Sequence, residues 1–366
     1  MTAMNAEPAD AALRRVTFVL HTRNRPDFLS RCLDHFEQEL GSSGARLVIT
    51  DGSDPDMWAI VEKSLRERGD FDRYVILHSD PPVSMRDRLA ESLARVETDY
   101  VALAADDDFY FKDWIAPAAA LLDSDGDFST VYGHALFFYL EGYRAYGEQV
   151  ECWVHPRTAV PQWWQEHETP AERLQELNRP RQDTAFMGWY ALQRTAQLRA
   201  IFDLAVRIDL RHEMLEHVIT LVQTITGKTR MLDTIFLARQ EKREHDHRFP
   251  TPQEAERSIL DLTEACLPLL MERQPMAEAD ARKLLEGYFA GPRFIYATVH
   301  KRRALFWIAN RLPIARTIWQ RLRGIKPTEA LVTADRYPDH RFPPLPKISD
   351  DHPLVRRVRA NVLRPD

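Results

Sequence analysis

Residues 100–111, YVALAADDDFYF, carry six apolar residues straight into three aspartates and then into an aromatic run. The apolar stretch has the length of an ordinary strand, is shorter than an ordinary helix and shows no polar alternation. It therefore reads as a strand buried on both faces. Strands of that kind belong to parallel sheets sandwiched between helices. Asp106, Asp107 and Asp108 stand where such a strand leaves the sheet. Like charges at this spacing repel and raise one another's pKa unless a cation compensates. Mg2+ and Mn2+ prefer hard carboxylate oxygens and keep open positions for phosphate. The bland alternative is a solvated acidic turn capping the next helix.

Upstream, the same kind of strand recurs. VTFVLH (16–21) is a short β-branched run followed by the loop TRNRP, in which Pro26 suits the first turn of a helix. Phe28, Leu29, Cys32, Leu33 and Phe36 then recur at helical spacing. RLVIT (46–50) ends in the turn-rich DGSDPD, and helical patterns over 56–68 and 84–96 flank the strand YVILH (74–78). Alternating strands and helices with short loops predict an α/β fold with a mostly parallel sheet covered on both faces. Ligands in such sheets bind beyond the carboxyl ends of the strands, where TRNRP, DGSDPD and DDDF all lie.

Downstream the pattern loosens. STVYGHALFFYL (129–140) reads as a further strand or the edge of the sheet, and 150–183, rich in Trp, Pro, Glu and Arg, as an irregular insertion. FMGWYALQRTAQLRAIF (186–202) reads as a strand followed by a helix, 212–226 as a helix, 253–290 as two helices and 299–323 as one broken at Pro313. From about 331 the chain is proline-rich and charged and is expected to be extended. The expected division is an α/β domain over 14–248, a helical extension over 249–330 and an extended tail over 331–366.

Composition sets the class. With 366 residues, 44% hydrophobic and 28% charged, the chain can bury a sizeable core without staples. A net charge of −6 speaks against a protein built to coat nucleic acid. Cys32, Cys152 and Cys266 lie far apart, so neither a zinc site nor a disulfide framework is expected. The N-terminus has no basic start and apolar core, and no run of roughly 18 apolar residues occurs. A cytoplasmic protein is the expectation.

Several polar residues at the strand ends suit a nucleotide. Arg23 and Arg25 can contact phosphate or base, and Thr22 and Asn24 offer hydrogen bonds. Asp51, beside Gly52 in a tight turn, can accept from a base or ribose; it can equally be a plain turn residue. Arg86 and Arg88, two apart on a helix, point to different faces, so at most one reaches the site.

These pieces together resemble the family 2-like inverting glycosyltransferases with the GT-A fold, and a bacterial subgroup of them. The resemblance rests on VTFVLHTRNRPDFLSRCLDHF (16–36), LVITDGSDPD (47–56), VETDYVALAADDDFYF (96–111), GWYALQRTAQLRAIF (188–202) and ITGKTRMLDTIFLARQE (225–241). It implies that Thr22, Arg25 and Asp51 hold the nucleotide and that Arg88 stands where the subgroup carries a lysine. It implies that Asp106 and Asp108 form an Asp-x-Asp pair on the metal, Asp108 foremost, with Asp106 and Asp107 also facing the donor. A general base must also deprotonate the acceptor hydroxyl. The family takes it from an acidic pair opening a helix in the second half, usually Glu-Asp. That pair is missing here, and DLRHEMLEHVITL offers Glu213 and Glu216 instead, at i and i+3 of one helical face. The late histidine that such enzymes often add to the metal would be His245 or His247 of EHDHRF.

Residues 301–326 hold eight Lys/Arg and no acidic residue, interleaved with Phe306, Trp307, Ile318 and Trp319. A basic amphipathic helix of this kind suits an anionic membrane surface; packing on the catalytic domain is the alternative. The expected function is metal-dependent transfer of a sugar from a nucleotide-sugar donor, with Mn2+ or Mg2+, to a glycan or lipid-linked acceptor in bacterial surface glycan synthesis. A sugar-phosphate nucleotidyltransferase is a rival, although TRNRP lacks the glycines that cradle a triphosphate. A non-catalytic nucleotide-sugar-binding module is the other.

Overall fold

The computed structural model describes residues 9–41, 44–70, 74–140, 144–147, 151–154, 166–177, 185–241, 250–293 and 351–362. After a short helix α1 (Ala9–Leu13), strand β1 (Val16–Thr22) runs buried along most of its length, because apolar side chains on both its faces meet helices. Helix α2 (Pro26–Glu39) begins on Pro26, whose fixed φ suits a first turn. Strand β2 (Arg46–Asp51), helix α3 (Pro55–Glu67), strand β3 (Val75–His78), helix α4 (Met85–Ala94) and strand β4 (Tyr100–Ala105) complete the alternation. These strands pair in parallel in the order β3-β2-β1-β4. The chain steps outward from β1 to β3 and returns to the other side of β1 with β4. The carboxyl ends of β1 and β4 therefore flank the switch point, where a crevice opens in sheets of this kind.

The second half is mixed. It contains β5 (Asp108–Tyr110), α5 (Ile115–Ser124), β6 (Phe128–Tyr139), β7 (Glu151–Val154), α6 (Pro170–Leu177), α7 (Ala185–Tyr190), β8 (Leu192–Arg194), α8 (Thr195–Arg207), α9 (Leu215–Thr226) and β9 (Lys228–Gln240). The sheet continues β4-β8-β6-β9-β5, with β7 on β6. Strand β8 is antiparallel to β4 and β6, β6 and β9 are parallel, and β9 is antiparallel to β5. The α/β class expected from the sequence is present, as a parallel half joined to a mixed half. One element differs. The first part of FMGWYALQR is helical and only Leu192–Arg194 pairs in the sheet. Periodicity cannot separate a short buried helix from a buried strand, and α7 packs chiefly on α9 while also covering β4 and β6.

Helices α10 (Pro252–Arg273) and α11 (Glu278–Tyr288) pack on α9 and α6, and their Ile259, Leu262, Cys266 and Leu285 join the same core as the sheet. The final described segment corrects the expectation of an extended tail: Pro353–Val362 is a helix, here α12. Its Val355, Val358 and Val362 recur at helical spacing and close a second apolar cluster over Phe109, Phe111, Leu136 and Phe138. Arg357 reaches Glu39 of α2 at 3.2 Å. The proline content of the whole tail masked this local pattern. His245, His247, the basic stretch 301–326 and most of the insertion over 150–183 lie outside the described residues. Among the described residues no helix is long and apolar enough to cross a membrane.

Candidate active site at the switch point

The register of β1 on β4 sets His21 against Ala105, so the next residues, Thr22 and Asp106, meet where the strands end. Thr22 Oγ1 donates to Asp106 Oδ2 at 2.6 Å. Arg25, at the start of α2, pairs with Asp106 and reaches Asp107 Oδ2 at 3.1 Å, its guanidinium lying 4.3 Å over the Phe28 ring. Asp107 is further fixed by its carbonyl, which accepts from Gln240 N at 3.0 Å. Asp108 Oδ2 accepts from Ala105 N at 2.9 Å, whereas its buried Oδ1 has no hydrogen-bond partner.

Asp106, Asp107 and Asp108 are 2%, 6% and 1% exposed, so the solvated-turn alternative does not describe them. Burial holds the Asp106 and Asp108 carboxyls well above the usual range. Arg25 opposes the rise at Asp106, Arg239 opposes it at Asp108, and Asp107 adds to both. Among the described residues no three His, Cys, Asp or Glu side chains form a ready-made metal cluster. The residues present still fit a divalent cation: hard carboxylate oxygens, one of them buried without a hydrogen-bond partner, reluctant to ionise until positive charge arrives. Mg2+ in particular binds through one or two carboxylates and lets water and phosphate complete its shell.

The ends of β2 and β3 supply a second wall. Asp51 is fully buried and already occupied: it accepts from Ser53 N at 2.7 Å and Ser53 Oγ at 3.0 Å, and lies 3.2 Å from His78 Nδ1. His78 stacks on Trp58 with ring centroids 4.1 Å apart. Arg88 is buried beneath Gly52, donates to the Thr22 carbonyl at 3.3 Å, and has its pKa lowered by burial against the pull of Asp51. A Cβ on Gly52 would sit 2.3 Å from the Arg88 guanidinium carbon, so glycine is required by the close approach. Arg86 is directed elsewhere, to Asp87 at 2.8 Å and Asp209 at 2.6 Å. Arg23 is largely exposed and pairs with Asp54 at 3.3 Å. Asn24, at φ 56°, takes the left-handed turn between them. Its amide N donates to Ser53 Oγ at 2.8 Å and its Nδ2 to Asp54 at 2.7 Å, tying TRNRP to DGSD.

The two candidate glutamates lie in different elements. Glu213 lies in the 3-10 turn His212–Met214 ahead of α9, where Arg211 holds it at 3.1 Å and His212 lies at 3.4 Å. Glu216 lies in the first turn of α9, and its charge acts on Tyr190 and Arg239. Those two residues escape the sequence reading. Arg239 Nη1 donates to the Tyr190 hydroxyl, and its guanidinium lies 5.1 Å from the centre of that ring. Burial works against the Arg239 charge, yet Tyr190, Asp108, Asp107 and Glu216 outweigh it and raise its pKa. A lone arginine inside a strand gives no signal until β9 is known to pair with β5. Arg31 is also hidden in sequence, on the apolar face of α2. It is fully buried, donates to Gln240 Oε1 at 2.7 Å, and lies 4.9 Å from the Phe28 and Phe109 rings. Its charge helps to offset Asp107 and Asp106.

No protein-family profile matches the chain, and no curated protein matches it. Among solved structures it is similar to S. aureus TarS 1–349 in complex with UDP-GlcNAc, at 15% identity and a TM-score of 0.48, over 75% of this chain and 71% of that one. It is also similar to the mannosyltransferase PcManGT from Pyrobaculum calidifontis in complex with GDP-Man and Mn2+, at 15% identity and a TM-score of 0.43, over 87% and 83% of the two chains.

Proposed function

We propose that the protein is a nucleotide-sugar-dependent glycosyltransferase acting with inversion at the switch-point crevice. The observation that carries this reading is the buried turn Asp106–Asp108 at the end of β4, where Asp108 Oδ1 has no hydrogen-bond partner and Arg239 of β9 stands 4.0 Å away. Asp108, with Asp106, would hold Mn2+ or Mg2+, which when bound neutralises charge on the departing diphosphate. Thr22 and Arg25 keep the aspartates oriented. Arg88 and Asp51 shape the nucleotide wall, with Asp51 acting through Ser53 and His78 rather than by direct contact.

Glu216 takes the acceptor hydroxyl proton as the oxygen attacks the anomeric carbon, and the sugar–phosphate bond breaks with its electron pair left on the diphosphate. Glu213 is spent on Arg211. The acceptor is a glycan or lipid-linked sugar of the bacterial surface, with the basic stretch 301–326 touching an anionic membrane at its inner face. A panel of UDP-, GDP-, dTDP- and CMP-sugars, assayed with manganese for donor hydrolysis and transfer, tests the reading. Asp108→Ala should lower both by about 10³-fold, a loss of about 4 kcal/mol of transition-state stabilisation. Wild-type rates in that variant would sink it.

A further inference from the structure

Two guanidinium groups flank the aspartate turn, and they reach it from opposite halves of the sheet. Arg25 comes from the β1 side and is committed to Asp106 and Asp107. Arg239 comes from β9, whose antiparallel pairing sets it directly across from Asp108. Its Nε stands 4.0 Å from Asp108 Oδ1, and its side chain is 24% exposed while that of Asp108 is sealed. Arg239 thus joins a partly exposed side chain to a guanidinium set beside a sealed carboxylate. Tyr190 is its shelf, with the hydroxyl accepting from Nη1 and the ring beneath the guanidinium. The shelf is itself held, since the Tyr190 carbonyl accepts from the Tyr110 hydroxyl at 2.9 Å.

A diphosphate entering this crevice meets the acidic turn Asp106–Asp108 and is repelled by whichever of its groups are ionised unless fixed positive charge faces it. A planar guanidinium matches phosphate oxygens in a fork and keeps its charge at any working pH. Building on the glycosyl-transfer reading above, we propose that Arg239 is a second cationic arm for the donor's diphosphate. It holds the phosphate that bears the sugar. When the sugar–phosphate bond breaks, the electron pair stays on that phosphate oxygen facing Arg239, while the acceptor proton goes to Glu216. Tyr190 is a positioning residue that aims the guanidinium.

Calorimetric titration of the full chain with UDP, GDP, dTDP and CMP, in manganese and again in EDTA, tests this. Arg239→Met should weaken binding of whichever nucleotide the wild type accepts by about 10- to 100-fold in both buffers. It should also lower kcat at saturating donor. Arg239→Lys should regain part of the affinity, and Tyr190→Phe should lose less than Arg239→Met. Uridine or guanosine, which carry no phosphate, should bind every variant as they bind the wild type. Nucleoside diphosphate binding that is unchanged in Arg239→Met overturns the proposal, as does an equal loss of nucleoside binding, which would mark a structural role. A wild type that binds none of UDP, GDP, dTDP and CMP with manganese present overturns the donor reading itself.

Discussion

A carboxylate removed from water must find a cation or a proton, and Asp108 Oδ1 has neither within hydrogen-bonding distance. That single atom does more to define the site than the number of aspartates around it. The same reasoning separates the two glutamates. Glu213 is neutralised by Arg211, whereas the charge of Glu216 is shared with Arg239 and Tyr190 beside the aspartates. Glu216→Gln should cut kcat by about 10²- to 10⁴-fold with little change in donor affinity, the range for loss of a general base. Glu213→Gln should leave transfer within a few-fold of wild type. Steady-state kinetics of the pair decides the assignment, and a reversed ranking would move the base to Glu213. From sequence alone Glu213 stood slightly ahead, because it lies nearer the helix start and so nearer a loop-built site. The 3-10 turn before α9, where Arg211 holds Glu213, turns that preference to Glu216.

At the scale of elements, α2 is the support on which the aspartate turn rests. His35, on its buried face, bonds the Tyr110 carbonyl of β5 through Nε2 at 2.7 Å and stacks on Phe109 at 4.7 Å. Burial pushes its pKa down to about 4, against the pull of the Tyr110 carbonyl. The unfolded chain therefore takes up a proton at this ring between pH 6.5 and about 4 that the folded chain refuses. Stability contributed by the neutral ring is present at neutral pH and is lost as pH falls through that window. Between pH 7 and 5 the loss from this one group is about 2 kcal/mol. Urea unfolding at those two pH values should show a difference smaller by about that amount in His35→Gln than in the wild type. Equal differences would mean that the α2–β5 contact does not carry this pH dependence.

At the scale of the molecule, α12 returns from the far end of the chain to cover Phe109 and Phe111, immediately behind Asp108. A chain ending at residue 350 would lose Val355, Val358 and Val362 from that cluster and leave a contiguous aromatic patch open to water. It should bind ANS, unfold several degrees lower and lose transfer activity together with stability, because β5 loses its backing. Calorimetry and dye binding on the truncated and full chains check this; an unchanged melting temperature would make α12 an appendage.

Local pattern already specifies the parallel half: β1 to β4, their helices and the three loops at the strand ends. These follow from local facts, namely apolar runs, helical spacing and Pro26 at a first turn, each complete within a few residues. The acidic turn was legible for the same reason, as charges placed directly after a buried strand. The partners of that turn were decided only by tertiary structure. Arg239 reaches Asp108 through the β5–β9 ladder, and β9 is placed by its pairing with β6, which shifts register between Phe128 and Thr130, Tyr132 and His134, and His134 and Ala135. Side chains alternate along a strand, so the one-residue shifts at Phe128/Thr130 and His134/Ala135 each exchange the faces, while the two-residue shift at Tyr132/His134 keeps them. The residue of β9 that meets the aspartates is therefore set by long-range pairing, which leaves no trace in the local pattern of either strand.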